Sequence, residues 1–421
     1  MRKFSLGALV AAGLLAGGLT ASSASAADLG GNCCADLEER IAELEATTAR
    51  KGNRKVSLTI SGWVAEQVMW WDDGQETNTY VGGIGTTLGS HFKVTGQATI
   101  APGWSAGYVL HVEVDGSDSL TWNADNKTGV GVYGGTGNYV QALQSFWFIK
   151  SDHLGKVSVG QQSQASDNTA ILVDGSGSLV PANWVAFDVN NFDRKLSGGG
   201  SVGTWGGAGS CAGMGGAWGD CNGLTQNVVR YDSPTYAGFS VSASWGADDM
   251  WDVAARYAGE AGGFKVAYTE VNDANYNSGS LAVADVDADY FQVGGYVEHV
   301  ATGVFIYGAY GLLDNHLSPV AENQVENYYI KAGLRERWTP LGHTVLYGEY
   351  LNNNDGAAVG GDCGGCTSSD LDVWGAGIVQ EIDAAAMSMW VKYRHLQFDD
   401  NVANRDYEDF NQVSFGALIN F

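Results

Sequence analysis

Alternation of apolar and polar residues with a period of two limits this chain more than any other feature, and the last eleven residues show it best. In Asn411-Gln-Val-Ser-Phe-Gly-Ala-Leu-Ile-Asn-Phe421, Val413, Phe415, Ala417, Ile419 and Phe421 share one parity, and Gln412, Ser414, Gly416 and Asn420 the other. That is a strand with one oily and one wet face. A terminal strand of this kind leaves an apolar edge open to association. The edge is at home if it pairs with the first strand, because a sheet in hydrocarbon must close to satisfy its backbone.

The same alternation recurs upstream. Val56, Leu58, Ile60 and Val64 carry it, then Phe92, Val94, Ala98 and Ile100, then Trp104 to Val114. Further strands are expected near 139–150, 156–162, 226–233, 237–246, 251–257, 263–270, 289–299, 303–312, 326–337, 342–351, 370–382, 386–397 and 411–421, which makes sixteen. Tight connections such as Ala101-Gly103, Ser151-Gly155 and Asp383-Ala385 alternate with long polar ones. The fold class expected is all-β, a 16-stranded antiparallel transmembrane β-barrel with a short N-terminal periplasmic helix. An even strand number puts both termini at the short-turn end.

Composition agrees. With 60 Gly and 5 Pro in 421 residues, Gly far exceeds the usual share of about 7% and Pro falls far below about 5%. All five prolines fall outside the expected strands, as uninterrupted ladders require. Aromatics near strand ends, Trp70, Trp71, Trp104, Trp147, Trp251, Trp338, Trp374, Trp390 and Phe421, are expected to form the interfacial girdles.

The amino terminus reads as an export signal. Met1-Arg2-Lys3, an apolar run to Leu19 and Ala24-Ser25-Ala26 give residues 1–26 as a cleaved segment. After it no apolar run approaches the roughly 18 residues of a membrane helix. Residues 27–54 read as a periplasmic helical leader, with a helix over 36–50 on the seam Leu37, Ile41, Leu44 and Thr48. So short a helix is marginal alone, so it hints at an oligomer. Residues 55–421 are the barrel.

The formal charge of -25, or -27 without Arg2 and Lys3, argues against a nucleic-acid partner. Four of the six cysteines, Cys211, Cys221, Cys363 and Cys366, lie in Gly-rich segments. In an exported chain they are disulfide candidates rather than a zinc or thioredoxin-like centre. Cys33 and Cys34 leave pairing between chains open. No cofactor or metal is called for.

One connection is out of scale. Between Gln162 and Thr225 roughly sixty residues run without a convincing strand, far past the usual limit of about 15. This loop, about 163–224, is expected to fold inward and narrow the lumen, which sixteen strands leave wide enough to receive it. A sieve needs pore radius and lining charge, not a nucleophile. The loop carries Asp167, Asp174, Asp188 and Asp193. Strand positions of lumen parity carry Lys93, Arg230, Arg256, Lys265, Lys331, Arg335, Lys392 and Arg394. The constriction set expected is Asp174, Asp188 and Asp193 against Lys93, Arg230, Lys331 and Arg394, with a transverse field between them. The excess of acid favours cations.

Cys33 to Trp63, reading CCADLEERIAELEATTARKGNRKVSLTISGW, resembles the start of the general porins of alphaproteobacteria. Arg230-Tyr-Asp-Ser-Pro-Thr-Tyr-Ala-Gly-Phe-Ser-Val241 is similar to their strand-turn-strand unit, and Phe421 to their last residue. The resemblance implies a homotrimer of sixteen-stranded barrels in the outer membrane of a Gram-negative bacterium, beside lipid and lipopolysaccharide, each pore constricted by its third external loop. It implies a passive diffusion channel for ions and small hydrophilic solutes, and no enzyme. The chain departs from some porins in its insertion at 198–223 and in Cys363-Cys366.

The alternative in the same architecture is a substrate-specific channel, for example a sugar-selective one, with Trp184 and Phe187 as stacking rings. An outer-membrane hydrolase would need a Ser and His pair at one depth, and none stands out. A soluble all-β binding protein would have to hide the oily parity. Gly129-Val-Gly131-Val-Tyr-Gly134 matches a dinucleotide fingerprint only in letters, since it opens no helix. Asp285-Val-Asp287-Ala-Asp289 lacks the glycine of a calcium loop.

Overall fold

A computed structural model describes residues 55–114, 116–127, 140–209, 225–246, 250–259, 262–273, 286–316 and 323–421. The export segment, the leader and the helix expected in it, Cys33, Cys34, Cys211, Cys221 and the glycine pattern at 129–134 lie outside them.

Seventeen strands form one antiparallel sheet. They are β1 (Thr59–Asp72), β2 (Thr77–Gly82), β3 (His91–Ala101), β4 (Trp104–Val114), β5 (Val140–Ser151) and β6 (Gly155–Gln162) before the long loop. After it come β9 (Gln226–Asp232), β10 (Phe239–Gly246), β11 (Trp251–Gly259), β12 (Gly262–Asp273), β13 (Val286–His299) and β14 (Val304–Asn315). The ring ends with β15 (Gln324–Thr339), β16 (Gly342–Asn354), β17 (Ser369–Ile382), β18 (Met387–Asp400) and β19 (Phe410–Asn420). Two further strands, β7 (Asp193–Lys195) and β8 (Ser201–Thr204), form a hairpin inside the long loop, where no strand was expected. They are too short for the period-two pattern to register.

The sheet closes on itself. β19 pairs with β1 from Trp63 opposite Asn420 to Asp72 opposite Asn411. At its tip Phe421 exchanges both backbone hydrogen bonds with Gly62, at 3.0 and 3.1 Å. On its other side β1 pairs first with β3 and then with β2. These two strands are therefore one interrupted stave, and the ring has sixteen. The first strand runs on to Asp72, beyond the expected end near residue 64. Val64, Val68 and Trp70 face outward and Gln67, Met69 and Trp71 inward, so the alternation persists past Glu66, which sits on the outward parity.

The faces sort as the period demands. On β19 Val413, Phe415 and Ile419 are exposed while Gln412 and Ser414 are buried. Short turns use left-handed backbone where it is forced: Gly103 at φ 75° and Gly303 at φ 63° each reverse the chain between adjacent strands. Of the expected girdle rings, Trp70, Trp104, Trp147, Trp251, Trp338, Trp374 and Phe421 are exposed on the outer face. Trp71 and Trp390 are corrections, because both point inward and are buried. Trp71 lies on the lumen parity of β1 and packs against Tyr80 and Phe192. Of the acidic run Asp285-Val-Asp287-Ala-Asp289, the residues from Val286 belong to β13.

Candidate functional site

The inward face of a barrel this wide would be wet and polar, yet from β13 round to β19 it carries Tyr307, Tyr329, Val345, Tyr347, Leu351 and Phe410, all buried. The long loop covers them. Its path can be followed through the groups that hold it. Arg230 on β9 donates to the carbonyls of Ser163 and Gln164, both at 3.0 Å. Asp252 on β11 accepts from Ser166 N–H at 2.6 Å, and Arg256 donates to the Ala165 carbonyl. Gln292 on β13 donates to the Ser166 carbonyl and accepts from Ala170 N–H, at 3.0 and 2.9 Å. Tyr307 on β14 donates to the Ala170 carbonyl at 2.8 Å.

At that point loop and wall touch backbone to backbone. A Cβ on Gly294 would lie 2.1 Å from the Ala170 carbonyl oxygen, so only glycine allows the approach.

The charged groups come next. Lys331 Nζ on β15 lies 2.5 Å from Asp174 Oδ2 and donates to Asn183 Oδ1 at 2.7 Å. Arg394 on β18 pairs with Glu349 on β16 at 2.7 Å, and its other nitrogen reaches the carbonyls of Pro181 and Ala182. Lys392 Nζ lies 2.5 Å from Asp188 Oδ2, while Gln67 on β1 donates to Asp188 Oδ1 at 2.6 Å. The Lys331, Asp174 and Arg394 side chains are 0% exposed. Burial alone would raise the Asp188 carboxyl, but the Lys392 and Arg394 cations outweigh it and hold it below its ordinary value.

Of the residues expected at the constriction, Asp174 and Lys331 contact each other, Asp188 contacts Lys392, and Arg394 contacts Glu349 and the loop's carbonyls. Their charges fasten the loop to the wall. Arg230 is an anchor too, paired with Asp232 at 2.8 Å on its own strand. Asp193 belongs to the β7–β8 hairpin, half exposed and 3.8 Å from Lys195. Lys93 lies outside the fastened sector, on β3, in register opposite His111 of β4. Cys363 and Cys366 are joined, with Cα atoms 5.6 Å apart.

Beyond Asp188 the loop enters an aromatic cluster of Phe192, Trp71, Tyr80, Phe410 and Trp205. Arg194 stacks over Phe398 at 4.0 Å and donates to the Asp362 carboxylate at 3.1 Å. Burial lowers the Arg194 guanidinium from its ordinary value, with Asp362 opposing that. Arg405 donates to the Cys363 carbonyl at 2.5 Å, so the outer loops and the inner one share a latch.

The loop thus lines the wall from β9 round to β1 and meets the sector of β3 to β5 at its two ends, where Gln144 donates to Ser163 Oγ at 3.4 Å and Thr225 donates to the Leu143 carbonyl. Between them lies a cavity of about 600 Å³. Lys93, His91, His111, Leu143 and Gln144 line it from the wall, and Leu172, Leu179, Val180, Pro181 and Trp184 from the loop. Trp184 faces this space. Phe187 does not: it is buried against Gly85, its carbonyl accepting from Ser119 at 3.1 Å.

Sequence reasoning missed Glu349, Gln67, Asn183 and the two histidines. An acid on lumen parity, as Glu349 is between Tyr347 and Leu351, is a signal that could have been read. Among the described residues no group of three His, Cys, Asp or Glu is placed to hold a metal ion, and no helix is long and apolar enough to cross a membrane.

The sequence profile of the family described as Gram-negative porin matches residues 8–418. The fold is similar to the anion-selective porin from Comamonas acidovorans, at 15% identity and a TM-score of 0.54, over 87% of this chain and 100% of that one. It is also similar to Salmonella typhi OmpF, solved with daunomycin, at 13% identity and TM-score 0.53, over 88% and 99% of the two chains. Outer-membrane expressed OmpT of Vibrio cholerae gives 15% identity and TM-score 0.51, over 88% and 99%. Such identities speak for the fold alone. Among curated proteins none matches the sequence.

Proposed function

The chain belongs to the Gram-negative porin family and is a passive diffusion channel of the outer membrane, not an enzyme; we propose that its filter is the gap between the long loop and the β3–β5 wall. One observation carries this reading: Asp174 and Asp188 of the loop are paired to Lys331 and Lys392 of the wall, and the cavity lies between the loop and Lys93, His91, His111, Leu143 and Gln144 of β3 to β5. In this reading Lys93 faces the passing solute. Asp174, Asp188, Lys331, Lys392 and Arg394 set the width of the gap by holding the loop back, and Arg230 holds its first turn. Asp193 takes part only through the outer hairpin. The local lining outranks the total charge, so the gap with Lys93 on its wall does not inherit the cation preference that the acidic composition suggested.

Three finer points belong to the same proposal. The chain is of the alphaproteobacterial type, on the resemblance of Cys33 to Trp63. It assembles as a homotrimer, supported by Glu66, whose outward position among Val64 and Val68 is costly against hydrocarbon and is relieved where a second copy covers it. The acidic outer rim contacts lipopolysaccharide through divalent cations. No observation favours the sugar-selective alternative, because Phe187 is consumed by packing.

Single-channel recording in planar bilayers tests the reading. Ohmic steps that close in groups of three equal levels are expected. Vesicles that stay impermeable to ions would overturn the proposed gap, and closures in single steps the trimer.

A further inference from the structure

The cavity beside the β3–β5 wall is lined largely by apolar groups. Opposite Lys93 the loop presents Leu172, Leu179, Val180 and Trp184 in one continuous apolar surface. On the wall side a β-bulge adds a fifth apolar group. The register between β4 and β5 slips between His111 and Val112, so that Gln144 pairs with His111 and Ala142 with Val112. Leu143 is the extra residue. Bulges re-aim side chains, and this one sends Leu143 and Gln144 together into the cavity.

Two histidines complete the wall. His91 and His111 lie with ring centroids 4.2 Å apart, each only 4% exposed. His91 Nδ1 faces the Gly89 carbonyl at 3.0 Å, so that nitrogen carries the hydrogen. Among the described residues neither ring nitrogen of His111 has a hydrogen-bond partner. A polar ring so buried, lining a cavity with nothing to bond, is costly. In either tautomer it offers one N–H to whatever enters. Lys93 pairs with His111 across the two strands, which sets an ammonium beside that N–H. The acids at the cavity's turn end are already matched, Glu381 by Arg335 at 2.9 Å and Asp383 by Arg337 at 2.6 Å. Asp167 is the loop's own acid on this space.

We propose that this cavity is a subsite for amphipathic organic monocarboxylates: Lys93 and His111 take the carboxylate, and Leu143, Leu172, Leu179 and Trp184 take an apolar body of aromatic size. The proposal rests on the channel reading above and names the solute class its gap prefers. The volume is that of a small-molecule site. A carboxylate leaving water for a mostly apolar chamber needs both a cation and a donor there, and the wall supplies one of each. An apolar body gains by leaving water for the loop's surface, which acetate cannot do.

The test compares benzoate, acetate and benzylammonium on the full chain in planar bilayers under potassium chloride. Benzoate is expected to reduce the open-channel current saturably, while acetate and benzylammonium do not. In Lys93→Met the apparent benzoate affinity should fall about tenfold, the factor for one charge-assisted hydrogen bond. Titration calorimetry of benzoate into detergent-solubilised protein repeats the comparison without needing a conducting pore, and Leu179→Asn should weaken benzoate there too. A channel that conducts but treats benzoate and acetate alike, or is blocked equally by benzylammonium, overturns the subsite and leaves the channel reading intact. A chain that does not conduct and gives no benzoate heat overturns both.

Discussion

Removing the lysine of the Asp188–Lys392 pair should loosen the loop, and removing both charges should largely repair it. The two side chains are 3% and 5% exposed and 2.5 Å apart. With Lys392→Met, Asp188 keeps the Gln67 amide at 2.6 Å and the more distant field of Arg394, and loses the cation in contact with it. Breaking a buried pair from one side costs about 3–5 kcal/mol. At about 1.4 kcal/mol per tenfold, the population in which this part of the loop leaves the wall rises by roughly 10²–10³-fold. The double variant Asp188→Asn with Lys392→Met carries no stranded charge and keeps a carbonyl for Gln67. It should recover most of the loss. Single-channel records read the difference as open-state noise and as the frequency of brief partial closures, large in the single variant and near native in the double. If the two variants behave alike, or Lys392→Met is as quiet as the native channel, the pair does not hold the loop and the account of the gap's width fails.

Other expectations follow from the same geometry. Because the Asp188 carboxyl is held below its ordinary value of 3.8 in the folded state, the pair's stabilisation is complete above the unfolded value near 3.9 and is lost only as pH falls through the lower folded one. Open-channel noise should therefore be flat from about pH 8 to 5 and rise only below about 4. Gly294→Val must push the Ala170 carbonyl away from a 2.1 Å contact. That breaks the bonds to Gln292 and Tyr307, about 1–3 kcal/mol together, and moves the loop into the gap; conductance should fall, with Gly294→Ala between the two. Replacing Cys363 and Cys366 by serine should loosen the outer latch by about 2 kcal/mol, the chain-entropy value for so short a loop, and lower the voltage at which the channel closes.

The barrel was legible because each stave is an independent reading of one period, and the reading fails only where a residue breaks it. Glu66 did so on β1, an acid on the oily parity, and the expected strand stopped short of it. The inward face was legible as parity but not as chemistry. Lys331, Lys392 and Arg394 were marked as lumen bases, and their pairing with Asp174, Asp188 and Glu349 was not. Nothing local sets which of sixteen staves a long loop will reach, since the contact between Asp174 and Lys331 spans 157 residues. His91 and His111 were passed over because they are twenty residues apart in the chain and meet only through the β3–β4 register. The bulge at Leu143 left no mark that alternation could catch.

In the proposed filter one side of the aperture belongs to a single connection and the other to the hoop that encloses it. Changes confined to residues 163–209 could widen, narrow or recharge the opening while every stave kept its neighbours. A chain built in this way can be retuned for a new mixture of nutrients without relearning how to insert.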